Sequence, residues 1–107
     1  MIDITYYRDY NRVTVRGHAG TAPEGHDLVC AAVSAITGTL AANMEQLAQN
    51  GAVRAPCIRL SKGDAEIGGT PRHGYKSLVQ VVASSICVGF ELLAEKYPEA
   101  VSYSIHG

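Results

Sequence analysis

Residues 12–40 read RVTVRGHAGTAPEGHDLVCAAVSAITGTL, and the fold turns on this stretch. It opens in alternation, with Val13 and Val15 against Arg12, Thr14 and Arg16, which is the period of a strand with one buried face. It closes on a different period. Val29, Val33, Ile36 and Leu40, continued by Met44 and Leu47, are spaced by fours and threes and form one stripe of a helix. Between the two lies Ala-Gly-Thr-Ala-Pro-Glu-Gly-His (residues 19–26), whose two glycines and proline read as a loop. Asp27 is the N-cap candidate and Asn50-Gly51 the stop, so the spacing predicts a helix from about Leu28 to about Gln49.

Working outward, Ile2, Ile4 and Tyr6 alternate with Asp3, Thr5 and Tyr7, and Arg8-Asp9-Tyr10-Asn11 supplies a turn. The chain therefore begins with a β-hairpin. Past the helix, Val53, Ile58 and Leu60 are apolar, but Pro56 breaks the alternation, so an edge strand or a bulge is expected. Ser61-Lys62-Gly63-Asp64 reads as a turn, and Ala65, Ile67 and Gly69 as the return strand. A second helical stripe runs through Leu78, Val82, Ile86, Gly89, Phe90 and Leu93, widened by Val81, Val88 and Leu92, and ends at Tyr97-Pro98. Val101, Tyr103 and Ile105 form a last strand. The order is ββαββαβ, an α+β fold with two long helices on one face of a mostly antiparallel sheet. The second helix is apolar over more than one sheet can cover, which implies a central position or a dimer contact.

The 107 residues make one domain, residues 1–107, and at 47% hydrophobic and 18% charged the chain is globular rather than disordered. A formal charge of -1 gives no basic footprint for duplex nucleic acid or an anionic membrane. Three cysteines is an odd number, which argues against a secreted disulfide scaffold and for a reducing compartment. Met1-Ile2-Asp3-Ile4 carries no signal-peptide pattern, and no apolar run is read as approaching the about 20 residues of a membrane helix. A cytoplasmic location is expected. No Cys-x-x-Cys, His-x-x-x-His or phosphate-loop spacing occurs, so neither a metal nor a cofactor is expected.

Two residues carry the candidate chemistry. Cys30, three residues after Asp27, falls in the first turn of the expected helix, where the dipole stabilises a thiolate and free N–H groups could hold an oxyanion. His18 ends the second strand, and a loop of this length can fold back to make a Cys–His base and nucleophile pair. The plainer alternatives are a buried cysteine acting as a small hydrophobe and a surface histidine. Ser34 and Thr37 follow Cys30 on its own face, as hydrogen-bonding groups or as small residues for close packing. Asp27 could orient His18 as well as cap the helix. Cys57 and Cys87 read as packing residues, His73 and His106 as exposed, and His26 as a loop histidine able to approach the site. Arg8, Arg12 and Arg16 are either a solvated strand face or a patch for an acidic partner.

Gly17-His18-Ala19-Gly20 and Gly25-His26-Asp27-Leu28-Val29-Cys30-Ala31-Ala32-Val33-Ser34 resemble the signature of the ribosomal-processing cysteine protease family, Prp. Gly89-Phe90-Glu91-Leu92-Leu93-Ala94-Glu95-Lys96-Tyr97-Pro98 resembles its closing segment, and the element order also agrees. The resemblance implies a homodimeric, cytoplasmic bacterial endopeptidase without cofactor or metal. Its substrate would be the N-terminal extension of large-subunit ribosomal protein twenty-seven. By that match Cys30 is the nucleophile and His18 the general base, with Gly17, Asp27 and Ser34 in support. Residues 19–27 would be a mobile substrate loop that contains His26 and draws backbone freedom from Gly20 and Gly25. The chain departs from many members in having Thr21-Ala22-Pro23 where they carry an aromatic residue. The other readings are a non-catalytic module that binds a ribosomal protein, and a thiol redox or metal protein.

Overall fold

The computed structural model describes residues 1–18 and 24–107, with side chains for 1–18 and 28–107. In chain order it contains β1 (Ile2–Tyr7), a 3-10 turn (Arg8–Tyr10), β2 (Arg12–Gly17), α1 (Glu24–Gln49), β3 (Val53–Ser61), β4 (Asp64–Pro71), α2 (Lys76–Lys96) and β5 (Val101–His106). The five strands lie in the order β3-β4-β2-β1-β5. The ββαββαβ expectation holds, with a refinement: β1 and β5 pair in parallel while the other three pairings are antiparallel. The parallel pair follows from the route of the chain. The stretch between β4 and β5 carries α2 along the sheet, and a helical crossover brings the next strand back in the same direction as β1.

Strand alternation sends Ile2, Ile4, Tyr6, Val13, Val15, Ala65, Ile67 and Val101 to one face, where all are buried beneath the helices. From α1 the buried contributors are Val29, Val33, Leu40 and Met44, with Ile36 and Leu47 packed against them, as the stripe requires. Ile36 meets α2 where a Cβ on Gly89 would lie 2.9 Å from its Cδ1, so the absent side chain sets the spacing between the helices. Pro56 has the effect expected of it. β3 is an edge strand, its register shifts between Arg54 and Cys57, and Ala55 sits there at a φ of 51°.

Three expectations need correction. First, α1 begins at Glu24 rather than near Leu28, so Asp27 is inside the helix and is not its N-cap. Residues 24–26 read as loop because Gly25 lowers helix propensity, yet Pro23 just ahead of Glu24 is a helix-start signal in the sequence. Second, α2 turns differently from its expected stripe. Val79, Ala83, Cys87 and Phe90 face the core, while Leu78 is 47% exposed, Val81 61%, Val88 50% and Leu92 58%. Third, Leu28–Gln49 and Lys76–Lys96 are each long and apolar enough to cross a bilayer by length and composition. In this fold each instead lays one face on the sheet.

Candidate active site

His18 follows directly from the end of β2, and its backbone is pinned on both sides. Gly17 N–H donates to the Gly63 carbonyl at 3.0 Å, and the Met1 nitrogen donates to the His18 carbonyl at 2.7 Å. Gly17 holds a φ of +104°, and a Cβ there would lie 2.2 Å from the Met1 carbonyl oxygen, so only glycine fits. The exposed His18 ring stands against the turn between β3 and β4. A Cβ on Gly63 would fall 2.3 Å from its Cε1 and 2.6 Å from its Nε2.

Opposite, α1 presents Cys30, Val33, Ser34, Thr37 and Gly38 at helical spacing, and together with Gly17 and His18 they line one cleft of about 420 Å³. Ile2 and Val15 form its floor, and Leu60–Ala65 its far wall. Cys30 is half-buried and Ser34 exposed. Thr37 is buried and donates its hydroxyl to the Val33 carbonyl at 2.7 Å, so its role is helical packing. The structure therefore brings Gly17, His18, Cys30 and Ser34 to one place. Gly20 lies outside the described residues, as do the side chains of His26 and Asp27; Gly25 and those two residues enter only as helical backbone.

The longer α1 changes the electrostatics expected of Cys30. With the helix starting at Glu24, Cys30 is in its second turn, and its own N–H belongs to the i to i−4 ladder. The free first-turn amides lie one turn earlier. Sequence reading also missed the β3–β4 turn as a wall of the site. Its Lys62-Gly63 pair is legible only as a turn, because nothing local says which strand end it will meet.

The arginines of β2 are committed elsewhere. Arg12 pairs with Glu66, Arg59 reaches Asp64 at 2.6 Å and Glu66 at 3.3 Å, and Arg16 Nε lies 3.4 Å from Asp64. Arg59 above all holds the Asp64 carboxyl below the usual carboxylate range, and Arg12 does the same for Glu66. Arg8 donates to the Gly107 carbonyl at 2.7 and 3.0 Å. Three guanidinium groups thus share two carboxylates on this sheet face, so Arg12, Arg16 and Arg59 are largely paired within the sheet. The other two thiols differ as well. Cys57 accepts from Arg12 Nη1 at 3.7 Å, and burial pushes the Cys87 thiol up to about 11.

A family model described as cysteine protease Prp matches residues 1–102. The chain belongs to the Prp family of cysteine proteases. Among solved structures, SMU.848 from Streptococcus mutans is 28% identical, with a TM-score of 0.69 over 98% of this chain and 91% of that one. An essential ribosomal processing protease Prp from S. aureus is similar in two complexes. One holds a covalently linked product peptide, at 23% identity and a TM-score of 0.69 over 97% of this chain and 96% of that one. The other holds a substrate peptide, at 22% identity with the same TM-score and coverage. At that identity these two establish the shared fold. No curated protein sequence matches the chain.

The three thiols of this Prp-family protein should separate by reactivity. A thiol pushed up to about 11 holds almost no thiolate near neutrality, and thiolate is the form that alkylates. Native protein treated with iodoacetamide at pH 7.5 should label Cys30 first and leave Cys87 unmodified until denaturant is added, as read by peptide mass spectrometry. Native-state labelling of Cys87 as fast as Cys30 would contradict this ranking.

Proposed function

We propose that residues 1–107 act as one endopeptidase domain that removes the N-terminal extension of large-subunit ribosomal protein twenty-seven, with Cys30 as nucleophile and His18 as general base. The observation that carries this reading is the placement of His18 and Cys30 on the walls of one cleft, within a chain of the Prp family. The S. aureus relative is described as a ribosomal processing protease, which supports the substrate class. A chain with a formal charge of -1 suits a basic ribosomal protein tail better than RNA. The same reading sets the activity in the bacterial cytoplasm, where thiols such as the three of this chain stay reduced.

In this mechanism His18 takes the Cys30 thiol proton, and the sulfur pair attacks the scissile carbonyl carbon, forming a C–S bond while the π pair moves to oxygen. The tetrahedral adduct collapses and breaks the C–N bond, and His18 protonates the departing amine. Water, deprotonated by His18, then cleaves the thioester, releasing the acid and returning a proton to sulfur. The oxyanion needs donors other than the amide of Cys30. Ser34 and Lys62 line the cleft and are the residues proposed to supply them. Gly17 supports His18 through the backbone. Asp27 is the proposed carboxylate partner of His18. Residues 19–27, with Gly20, Gly25 and His26, form the segment proposed to meet substrate.

A homodimer is part of the same reading. Leu78, Val81, Val88 and Leu92 form an exposed apolar stripe along α2, of the kind a second copy covers.

Purified wild type should cut a peptide spanning the extension. Cys30→Ala should abolish cleavage, and His18→Ala should slow it by about 10²- to 10⁴-fold. Undiminished cleavage by Cys30→Ala, followed by mass spectrometry, would sink the assignment and leave the non-catalytic binding module in its place. Sedimentation equilibrium at micromolar concentration should give twice the chain mass for wild type and a single chain mass for Val88→Glu. A monomeric wild type would remove the dimer.

A further inference from the structure

A general base must be held in one orientation, and the described residues offer His18 an unusual means. The carboxylate on the cleft wall, Asp64, is held by Arg59 through Oδ2 at 2.6 Å, while its buried Oδ1 lies 3.4 Å from Arg16 Nε. What the His18 ring meets is the bare Cα of Gly63, with Cε1, Nε2 and Nδ1 at 2.3, 2.6 and 3.2 Å from where a Cβ would stand. We propose that Gly63 is a positioning residue for His18: its missing side chain is the seat that holds the imidazole on the cleft lined by Cys30. The inference rests on the assignment of His18 as general base.

Backbone geometry is one constraint on Gly63, and the His18 ring is a second. Gly63 has a φ of +74°, which favours glycine, but Gly51 at +80° has nothing within 4 Å of its Cβ position. The two share the same conformational demand and differ in what fills the space. The atoms crowding Gly63 also belong to the movable end of His18, whose ring turns on two torsions. The His18 backbone is fixed by the Gly17 to Gly63 and Met1 to His18 hydrogen bonds. A methyl at position 63 therefore displaces the ring and leaves the sheet in place. Loss of turnover should therefore exceed whatever backbone strain costs, which Gly51→Ala shares.

The test pairs Gly63→Ala with Gly51→Ala. Peptide cleavage is followed against pH, and the His18 Cε1–H resonance is followed by NMR. Gly63→Ala should lower kcat by about 10²-fold with KM near wild type, since a displacement of about 1 Å in a reacting group has that effect. Its kcat pH profile and the His18 resonance should both shift, while Gly51→Ala keeps wild-type values throughout. A wild-type pH profile and an unmoved His18 resonance in Gly63→Ala would overturn the proposal, as would an equal loss in Gly51→Ala. Should wild type cleave no peptide, the endopeptidase reading fails separately, and the resonance alone decides whether Gly63 seats the ring. Should Gly63→Ala not fold, Gly63→Asn against Gly51→Asn makes the same comparison, because asparagine tolerates a positive φ.

Discussion

The hydrogen bond from Gly17 N–H to the Gly63 carbonyl, 3.0 Å long, ties the last residue of β2 to the turn between β3 and β4. It continues a ladder in which Arg16 faces Asp64 and Val15 faces Ala65. That register brings the β3–β4 turn beside His18. A slip of one residue would turn every side chain of β2 to the opposite face and carry the turn away from the cleft. Buried Val13 and Val15 enforce the register from the core side, and the Arg16–Asp64 and Arg12–Glu66 pairs do so from the open side. The site is thus held by sheet pairing, with α1 laid across it by its own apolar stripe.

Much of this was legible in the sequence, for identifiable reasons. Two periodicities, two for the strands and 3.6 for the helices, gave the element order. The stripe of α1 from Val29 to Leu47 turns to the core the face that its spacing predicts. Pro56 announced an edge strand with a bulge because a residue without an N–H cannot serve a central ladder. The misses are equally physical. Residues 24–27 lie near a helix start, where Gly25 weakens the local signal. In α2, apolar residues occupy nearly the whole circumference, so periodicity could not say that Val79 rather than Leu78 points inward. The parallel pairing of β5 with β1 is a long-range choice that no local pattern encodes.

The candidate site divides the same way. Cys30 and His18 stood out by residue type and by their placement around a glycine-containing segment. The hairpin turn stayed hidden because its part depends on where β4 pairs. Arg12 and Arg16 read as part of a patch because nothing local says that β4 sets Glu66 and Asp64 against them. Cysteine parity pointed to a free thiol, and the fold distinguishes the three. Cys87 lies in the core with its thiol pushed up, Cys57 lies beside Arg12 on the sheet, and Cys30 lines the cleft.

In the proposed mechanism Cys30 attacks the scissile carbonyl from the cleft it shares with His18. That attack is tested most directly by acid-quenching wild-type protein during the first turnover of a peptide spanning the ribosomal-protein extension, then locating any acyl adduct by peptide mass spectrometry. A thioester carrying the N-terminal product fragment is expected on the peptide that contains Cys30, and none in His18→Ala quenched at the same time. Cleavage that proceeds with the adduct on Cys57, or with Cys30 left as free thiol at every time point, would contradict it.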